Sequence, residues 1–514
     1  MPKSILPNLA ALSIGLSLGP SVSQAANPDP DAVSDSLKKA VAFYHEKAAT
    51  HGGYVYRYSA DLSLREAEGI PDVDTIWIQP PGTPAVGEAF LDAWEATGDP
   101  ASSQAALAAA EALVRTQLQS GGWYYHGHFD PEARQKFFYR RSLTDELIPD
   151  PTPESDRTGK SGWFLWKQGK YRERNTTVFD DDVTQSALRF LMRVDAALKF
   201  KHEAIHDAVV HGLDAMVRAQ YPNGGWSANF DRYPGTSPST ENFTIIKANY
   251  PETWSRTWPK AYDGPYVTND SLMSNAVSTL IRAVEIYGDQ EPRYRETLLR
   301  AGDFLILAQM PDPQPAWAQH YTEAMQPTWD RAFEPPAISG HESQGILEAL
   351  IDIARVTGEE RFLEPVPKAV AYLRKSQLPN GRLSRFYELE TNRPLYFTRG
   401  DKGKGWAITY ETDRLASNYG WEWDSRLDAI ESAWRLAKSG AENPEPSATE
   451  QVELAAAVAA IIESQDSRGA WAVPGQIRNA EGKKTDPDGG VIESATFIAN
   501  VKSLARYLST NRKP

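Results

Sequence analysis

Apolar residues recur along this chain at three- and four-residue spacing in paired runs, which is the period of amphipathic helices. The pairs fall at 85–97 with 101–117, 181–199 with 203–220, 270–287 with 294–309, 341–357 with 360–377, and 426–438 with 449–465. Each pair predicts a helical hairpin with a short polar turn inside it. A helix at 34–49 has no partner before it and one at 492–508 has none after it, so the two ends of the chain are expected to meet. Within 181–199 the residues Val183, Ala187, Leu188, Phe190, Leu191 and Val194 cover a broad face, as a helix at the centre of a ring requires. Hairpins closing on one another predict an all-α fold, an α/α toroid of repeated helical hairpins whose first helices line the centre.

A phrase recurs at the ends of the hairpins. Gln117 to Trp123, Gln220 to Trp226 and Gln465 to Trp471 share one Gln-x-x-x-Gly-x-Trp spacing; Gln377 to Leu383 keeps it with Leu for Trp, and Gln309 to Trp317 stretches it. Internal repeats of this kind mean stacked supersecondary units. The glycine is expected to supply a left-handed helix cap, with the aromatic folding back on the helix end.

Three long irregular inserts interrupt the pattern at 124–179, 227–268 and 382–423. Each leaves a second helix and enters a first one, so all should emerge at one mouth of the toroid. Their Tyr, Phe, Trp and Thr content predicts short strands, hence a partly β rim with a ligand cleft. Residues 382–414 hold seven Lys and Arg against five acidic residues, a local positive excess in a chain of net charge -14.

That net charge excludes a general nucleic-acid binder. The chain has no cysteine, so a metal would have to be held by oxygen or histidine, which favours a hard cation such as Ca2+. Residues 1–25, with Lys3, an apolar run over 5–18 and Ser23-Gln24-Ala25, read as a cleaved secretory signal. No stretch is long enough to span a membrane, and a secreted, soluble monomer is expected, periplasmic or extracellular. The remainder, 26–514, reads as one domain, with halves at 26–265 and 266–514 as an alternative.

Candidate chemistry gathers where inserts run into first helices. Asp180-Asp181-Asp182 precedes Val183, and Asn269-Asp270 precedes Ser271. Aspartates there serve as N-caps, but three in a row repel one another and ask for a counter-ion. In 329–343, Pro335 and Pro336 stiffen an extended run that presents Arg331 and Glu334, and Ser339-x-x-Glu342 reads as a capping box. This loop reads as exposed at the mouth. Arg385, Arg393 and Arg399 follow in the third insert, and Tyr419-Gly420-Trp421 reads either as an aromatic platform or as a packed turn.

These motifs together resemble polysaccharide lyase family 10, the pectate lyases built on an α/α toroid. The resemblance rests on Thr176-Thr177-Val178-Phe179-Asp180 with Val183-Thr184, Thr268-Asn269-Asp270, Arg331-Ala332-Phe333-Glu334 with Ser339-Gly340, Arg385-Phe386-Tyr387-Glu388 and Thr391-Asn392-Arg393-Pro394. It covers nearly all of 26–514 and implies Ca2+-dependent β-elimination of polygalacturonate, giving 4,5-unsaturated oligogalacturonides. By the same resemblance Arg331 is the base. Asp180, Asp181 and Asp270 are metal ligands, with the choice among residues 180–182 open. Arg385 and Arg399 bind substrate carboxylates, and Arg393, Ser271 and Trp421 are counted with them as substrate-binding. The family's toroid is usually described with three hairpins, whereas the repeats here number about six.

Two other readings fit part of the pattern. A terpenoid cyclase shares the Gln and Trp repeats and an Asp-rich motif but has no use for three arginines at one mouth. A non-catalytic pectin-binding protein would keep the arginines and aromatics without needing a rigidly held base.

Overall fold

The computed structural model describes residues 27–151, 175–230, 243–260, 264–400, 405–417, 419–441 and 444–511. The residues of the expected signal, and parts of all three inserts, lie outside these. Among the described residues, twelve helices of ten or more residues follow in chain order: α1 (Pro30–Phe43), α2 (Thr83–Thr97), α3 (Pro100–Thr116), α4 (Val183–Ala197), α5 (Glu203–Ala219), α6 (Leu272–Tyr287), α7 (Pro292–Ala308), α8 (Gly340–Thr357), α9 (Val366–Lys375), α10 (Leu427–Ser439), α11 (Ala448–Ser464) and α12 (Ser494–Asn511). The inner helices pack in the order α12, α2, α4, α6, α8, α10, and outer neighbours pair as α11 with α1, α1 with α3, α3 with α5 and α5 with α7. This is the expected α/α toroid, and one apolar core runs through it from Val33 to Leu508.

The two ends of the chain meet. Strand Arg57–Ser59 pairs antiparallel with Val491–Glu493, and the Tyr507 hydroxyl donates to Pro28 O at 2.8 Å.

The repeated phrase turns out to be a fastener between hairpins. The Gln117 side-chain amide donates to Gly121 O and to Ala208 O on α5, both at 2.8 Å. Gln220 likewise bonds Gly224 O and Thr297 O on α7, and Gln465 bonds Gly469 O and Ser36 O on α1. The tryptophan indoles of Trp123, Trp226 and Trp471 each donate to a carbonyl of the helix just ended, at Leu113, Met216 and Ile461. The glycine is not the helix cap; the glutamine is, in extended conformation. Gly224, at φ 93°, is needed in the turn because a Cβ there would stand 1.9 Å from Arg300 O on the next outer helix. Among the described residues, the Gln377 side chain keeps only the bond to its own Gly381 O, at 3.0 Å. There the ring is loosest: α10 buries only Leu427 and Ile430, and α11 only Ala455 and Val458.

The inserts supply the expected short strands. Thr177–Val178 pairs with Asn229–Phe230, and Tyr266–Val267 with His320–Tyr321, so each strand leading into an inner helix is braced by the strand that leaves the next outer helix. A four-stranded sheet follows, in the order Trp406–Thr409, Pro394–Arg399, Phe386–Glu388, Ala337–Ser339. Every such pairing lies at the same end of the ring. A small second core of Trp329, Phe386, Leu395, Phe397 and Trp421 packs beneath this sheet.

Candidate active site

Two turns built alike create the acidic centre. After Val178 and Val267 the chain makes the same doubled contact: Phe179 N and Asp180 N both donate to Ala228 O, and Thr268 N and Asn269 N both donate to Gln319 O. Both turns then pass through consecutive left-handed residues before the helix begins, Asp181 and Asp182 at φ 52° and 60°, Asp270 and Ser271 at φ 47° and 61°. Left-handed backbone costs a non-glycine residue about 1 kcal/mol or more, though Asp tolerates it better than most. The conformation swings neighbouring carboxylates in opposite directions. Asp182 turns away to Arg189 at 2.5 Å, while oxygens of Asp180, Asp181 and Asp270 lie within 4.8 Å of one another. Burial raises the pKa of all three, Asp180 to about 7, helped by repulsion from Asp270 for Asp180, from Asp180 and Asp270 for Asp181, and from Glu334 and Glu342 for Asp270.

Arg331 stands beside this cluster. Its loop is tight, with Glu334 N donating to Arg331 O at 2.9 Å, and Glu334 reaches back to grip the guanidinium through both oxygens, one contact at 2.6 Å. A further guanidinium contact reaches Asp270 at 3.4 Å. The loop is therefore less exposed than its sequence suggests: the Glu334 side chain is 1% exposed and that of Arg331 31%. Burial opposes the guanidinium charge, but the Glu334 carboxylate outweighs it and the pKa of Arg331 is raised. Burial alone would raise Glu334; Arg331 holds it at about 2. The Tyr419 hydroxyl donates to the same carboxylate at 2.7 Å.

Arg385 is 3% exposed, its guanidinium 4.0 Å above the Tyr419 ring and 3.6 and 3.7 Å from Asp270 and Glu342. Glu342 was expected to close a capping box. Only half of the box forms: Ser339 Oγ accepts from Glu342 N at 3.2 Å, but the Glu342 carboxylate reaches across to Gln319 Nε2 at 3.1 Å and Ser271 N at 3.3 Å. Ser271 thus enters the site through its backbone. Below Arg331, His320 lies 3.2 Å from Asp330; burial lowers its pKa but Asp330 raises it further. A cavity of about 40 Å³ separates this pair from Asp180 and Asn269.

The opposite wall comes from residues 57–79. Arg478 donates to the Glu66 carboxylate at 2.7 Å and to the carbonyls of Ala67 and Glu68, and Gln79 Nε2 contacts Glu68 Oε1 at 3.4 Å. Burial raises the Glu68 pKa, and its charge is felt by Asp181. Six carboxylates (Glu68, Asp180, Asp181, Asp270, Glu334, Glu342) so face two guanidiniums (Arg331, Arg385), an acidic surplus suited to a cation.

The structure does not bring every expected residue into this group. Trp421 is 6% exposed and donates its indole N–H to Ala416 O at 2.8 Å, so it is a packed core residue and not a platform. Arg399 is exposed and stacked 3.9 Å over Trp406, whose ring lies 4.5 Å from Phe333 beside Arg331. Arg393 lies over Tyr410 at 3.7 Å, at a separate groove. Glu342, Glu68, His320 and Asp330 were missed. Of these only Glu342 carried a signal, and it pointed to a cap.

Residues 156–383, the stretch that holds Asp180, Asp181, Asp270, Arg331, Glu334 and Glu342, match the family model for pectic acid lyase. This stretch is that of a polysaccharide lyase. The lyase match stops short of Arg385 and Tyr419 and excludes the wall carrying Glu68. No curated protein matches the sequence. Among solved structures, a variant of the family 10 polysaccharide lyase from Cellvibrio cellulosa in complex with trigalacturonic acid is 16% identical, aligning 69% of this chain with 98% of that one at a TM-score of 0.41. A cellobiose 2-epimerase from Bacillus thermoamylovorans is 12% identical over 94% and 99% of the two chains, TM-score 0.45. A type II terpene cyclase from Scytonema is 15% identical over 94% and 99%, TM-score 0.35. The assignment as a lyase rests on the family match, since these shapes agree only loosely.

Proposed function

We propose that this polysaccharide lyase is a secreted, monomeric pectate lyase, cleaving α-1,4-linked polygalacturonate by Ca2+-assisted β-elimination. The observation that carries the reading is the convergence of Asp180, Asp181 and Asp270 beside Arg331 and Arg385. The donor set fits calcium: three carboxylates supply oxygen only, and the buried Asn269 Oδ1, on the same turn as Asp270, has no hydrogen-bond partner. Asp180, Asp181 and Asp270 would hold the ion, and Asp182, committed to Arg189, would not. Bound there, calcium would offset the charge of a uronate carboxylate and so acidify the neighbouring C5–H.

The chain's own groups divide the remaining work. Arg385, buried and fixed on Tyr419, offers a permanent positive charge to the carboxylate as negative charge builds on it. Arg331 takes the C5 proton; the C5–H and C4–O bonds break, the C4–C5 double bond forms, and the departing oxygen is protonated from water. An arginine at its ordinary pKa is neutral in about 1 copy in 10⁵ or fewer at pH 7, and Glu334 makes that form rarer still. Turnover should therefore climb steeply with pH. Arg399, on the rim, meets a more distant carboxylate of the same chain. A cyclase of apolar substrates fits poorly, because the cleft is lined by charge.

The test is direct: incubate the protein with polygalacturonate, with calcium or with chelator, and follow ultraviolet absorbance of unsaturated uronate. Absorbance rising only with calcium is expected. No product with calcium present, across pH 7 to about 10, would reject the reading.

A further inference from the structure

We propose that the groove around Arg393 and Tyr410 is a second binding site for an acidic polysaccharide, separate from the cleft where Arg331 acts. This rests on the pectate lyase reading for the identity of the polymer. The groove, of about 370 Å³, is lined among others by Asn380, Arg393, Tyr396, Tyr410, Thr412 and Glu422, and shares no lining residue with the cavity beneath Arg331.

Arg393 is the feature that calls for a ligand. Its guanidinium lies flat over the Tyr410 ring at 3.7 Å and, among the described residues, its side chain makes no hydrogen bond and no ion pair. Arginines around it are all satisfied: Arg256 by Glu388, Arg382 by Asp424 at 3.0 Å, Arg374 by Asp428 and Glu431 at 2.9 Å each. In a chain of net charge -14, an exposed guanidinium left with open donors is a natural seat for a carboxylate, which its planar fork fits in bidentate fashion.

Much structure is committed to holding it there. The turn before Arg393 passes through left-handed Glu390 and Asn392, at φ 67° and 57°. The Asn392 amide is locked by Tyr372 Oη at 2.5 Å, Ser376 Oγ at 2.8 Å and Gln314 Nε2 at 3.1 Å. Beneath the turn, Glu388 fixes Tyr410 through a 2.7 Å bond from its hydroxyl and accepts from Thr391 Oγ1 at 2.5 Å. The one carboxylate in the groove, Glu422, is engaged by Asn380 at 3.0 Å and lies 3.7 Å from Arg382, so it leaves the groove open to an anion.

The strand Pro394–Arg399 links this groove to the cleft. Arg393 and Arg399 bracket it, about 20 Å apart at the usual rise of a strand. A polymer gripped at Arg393 would stay close while its neighbouring sugars visit Arg331, raising the local concentration of cleavable bonds. A short oligomer gains nothing from such a hold.

Arg393→Ala and Arg393→Glu should therefore lower kcat/KM on long polygalacturonate by about 3- to 10-fold more than on trigalacturonate, the charge reversal more than the truncation, and both should weaken retardation of the protein in a polygalacturonate gel containing chelator. Equal losses on polymer and trimer would place Arg393 in the cleft itself and overturn the proposal. So would unchanged kinetics and retardation. If the unaltered protein is retarded but yields no unsaturated product, the lyase reading fails while the groove is still judged by retardation of the two variants.

Discussion

The crowding of Asp180, Asp181 and Asp270 predicts a protein that, without metal, weakens as pH rises through the range where most proteins are steady. Burial and the neighbouring Asp270 carboxylate lift Asp180 from 3.8 to about 7, so between these values the folded chain binds a proton that the unfolded chain has released. Stability must then fall as pH climbs through that window, since the folded state holds more protons there. A rise of about 3 units corresponds to about 4 kcal/mol at most, at 1.36 kcal/mol per unit. For a chain of this length the unfolding entropy is about 1 kcal/mol/K, so the melting temperature should drop by about 2 to 4 °C between pH 5 and pH 8 in chelator. Calcium at about 100 times its Kd should return about 2.7 kcal/mol at pH 8, and little at pH 5, where the carboxylates hold protons. Differential scanning calorimetry in chelator and in calcium at these two pH values measures all four quantities. Asp181→Asn, which removes one charge from the cluster, should flatten the pH dependence and shrink the calcium shift. A melting temperature that rises with pH in chelator, or one that ignores calcium at pH 8, would refute the reasoning.

Other outcomes follow from the partners of each arginine. Arg331→Ala should lower kcat by about 10²- to 10⁴-fold and also strand the buried Glu334, at a cost of about 3 to 5 kcal/mol that adding Glu334→Gln should largely relieve in a thermal melt; near-normal kcat would remove Arg331 as base. Unaltered activity should rise with pH well past neutrality, about tenfold per unit while the guanidine stays charged, as read from initial rates at saturating substrate and calcium. Arg385→Ala, which empties a buried position, should reduce kcat/KM by about 2 to 5 kcal/mol, whereas Arg399→Ala, on the exposed rim, should cost about 1 kcal/mol or less and act through KM. Trp421→Ala should lower the melting temperature by the loss of about 3 to 5 kcal/mol of packing.

The helical ring was legible because its information is periodic: apolar spacing marks each helix, and the repeated Gln, Gly and Trp mark where each hairpin ends. The partners of those residues were not legible. That Gln117 reaches Ala208 follows from the stacking of neighbouring hairpins, and that Gln465 reaches Ser36 from ring closure, neither of which a local window contains. The same limit governs the site. Asp180, Asp181, Asp270, Arg331 and Arg385 stood out as charged residues in stiff or crowded places. Ser339-x-x-Glu342 reads the same whether the carboxylate turns back to cap its helix or reaches outward, and Arg385, Gln319 and Ser271 N decide the matter from other parts of the chain. Glu68 had no mark at all, because its place depends on Arg478. Trp421 could be read as a platform or as a packed turn because sequence shows a ring and its neighbours, but not which face is covered.

The meeting of the two chain ends has a consequence for how the enzyme comes into being. By the time residue 440 has been synthesised, Asp180, Asp181, Asp270, Arg331 and Arg385 already exist, yet the molecule is an open horseshoe. The faces of α1 and α2 that receive α12 are bare, and the wall bearing Glu68 has nothing to rest on until Arg478 emerges. Contacts that join residue 28 to residue 507 must wait for the whole chain, and such long-range closures form slowly and leave apolar edges open meanwhile. A nascent chain cut short before α12 would thus be prey for proteases and aggregation, not a slower version of the finished enzyme.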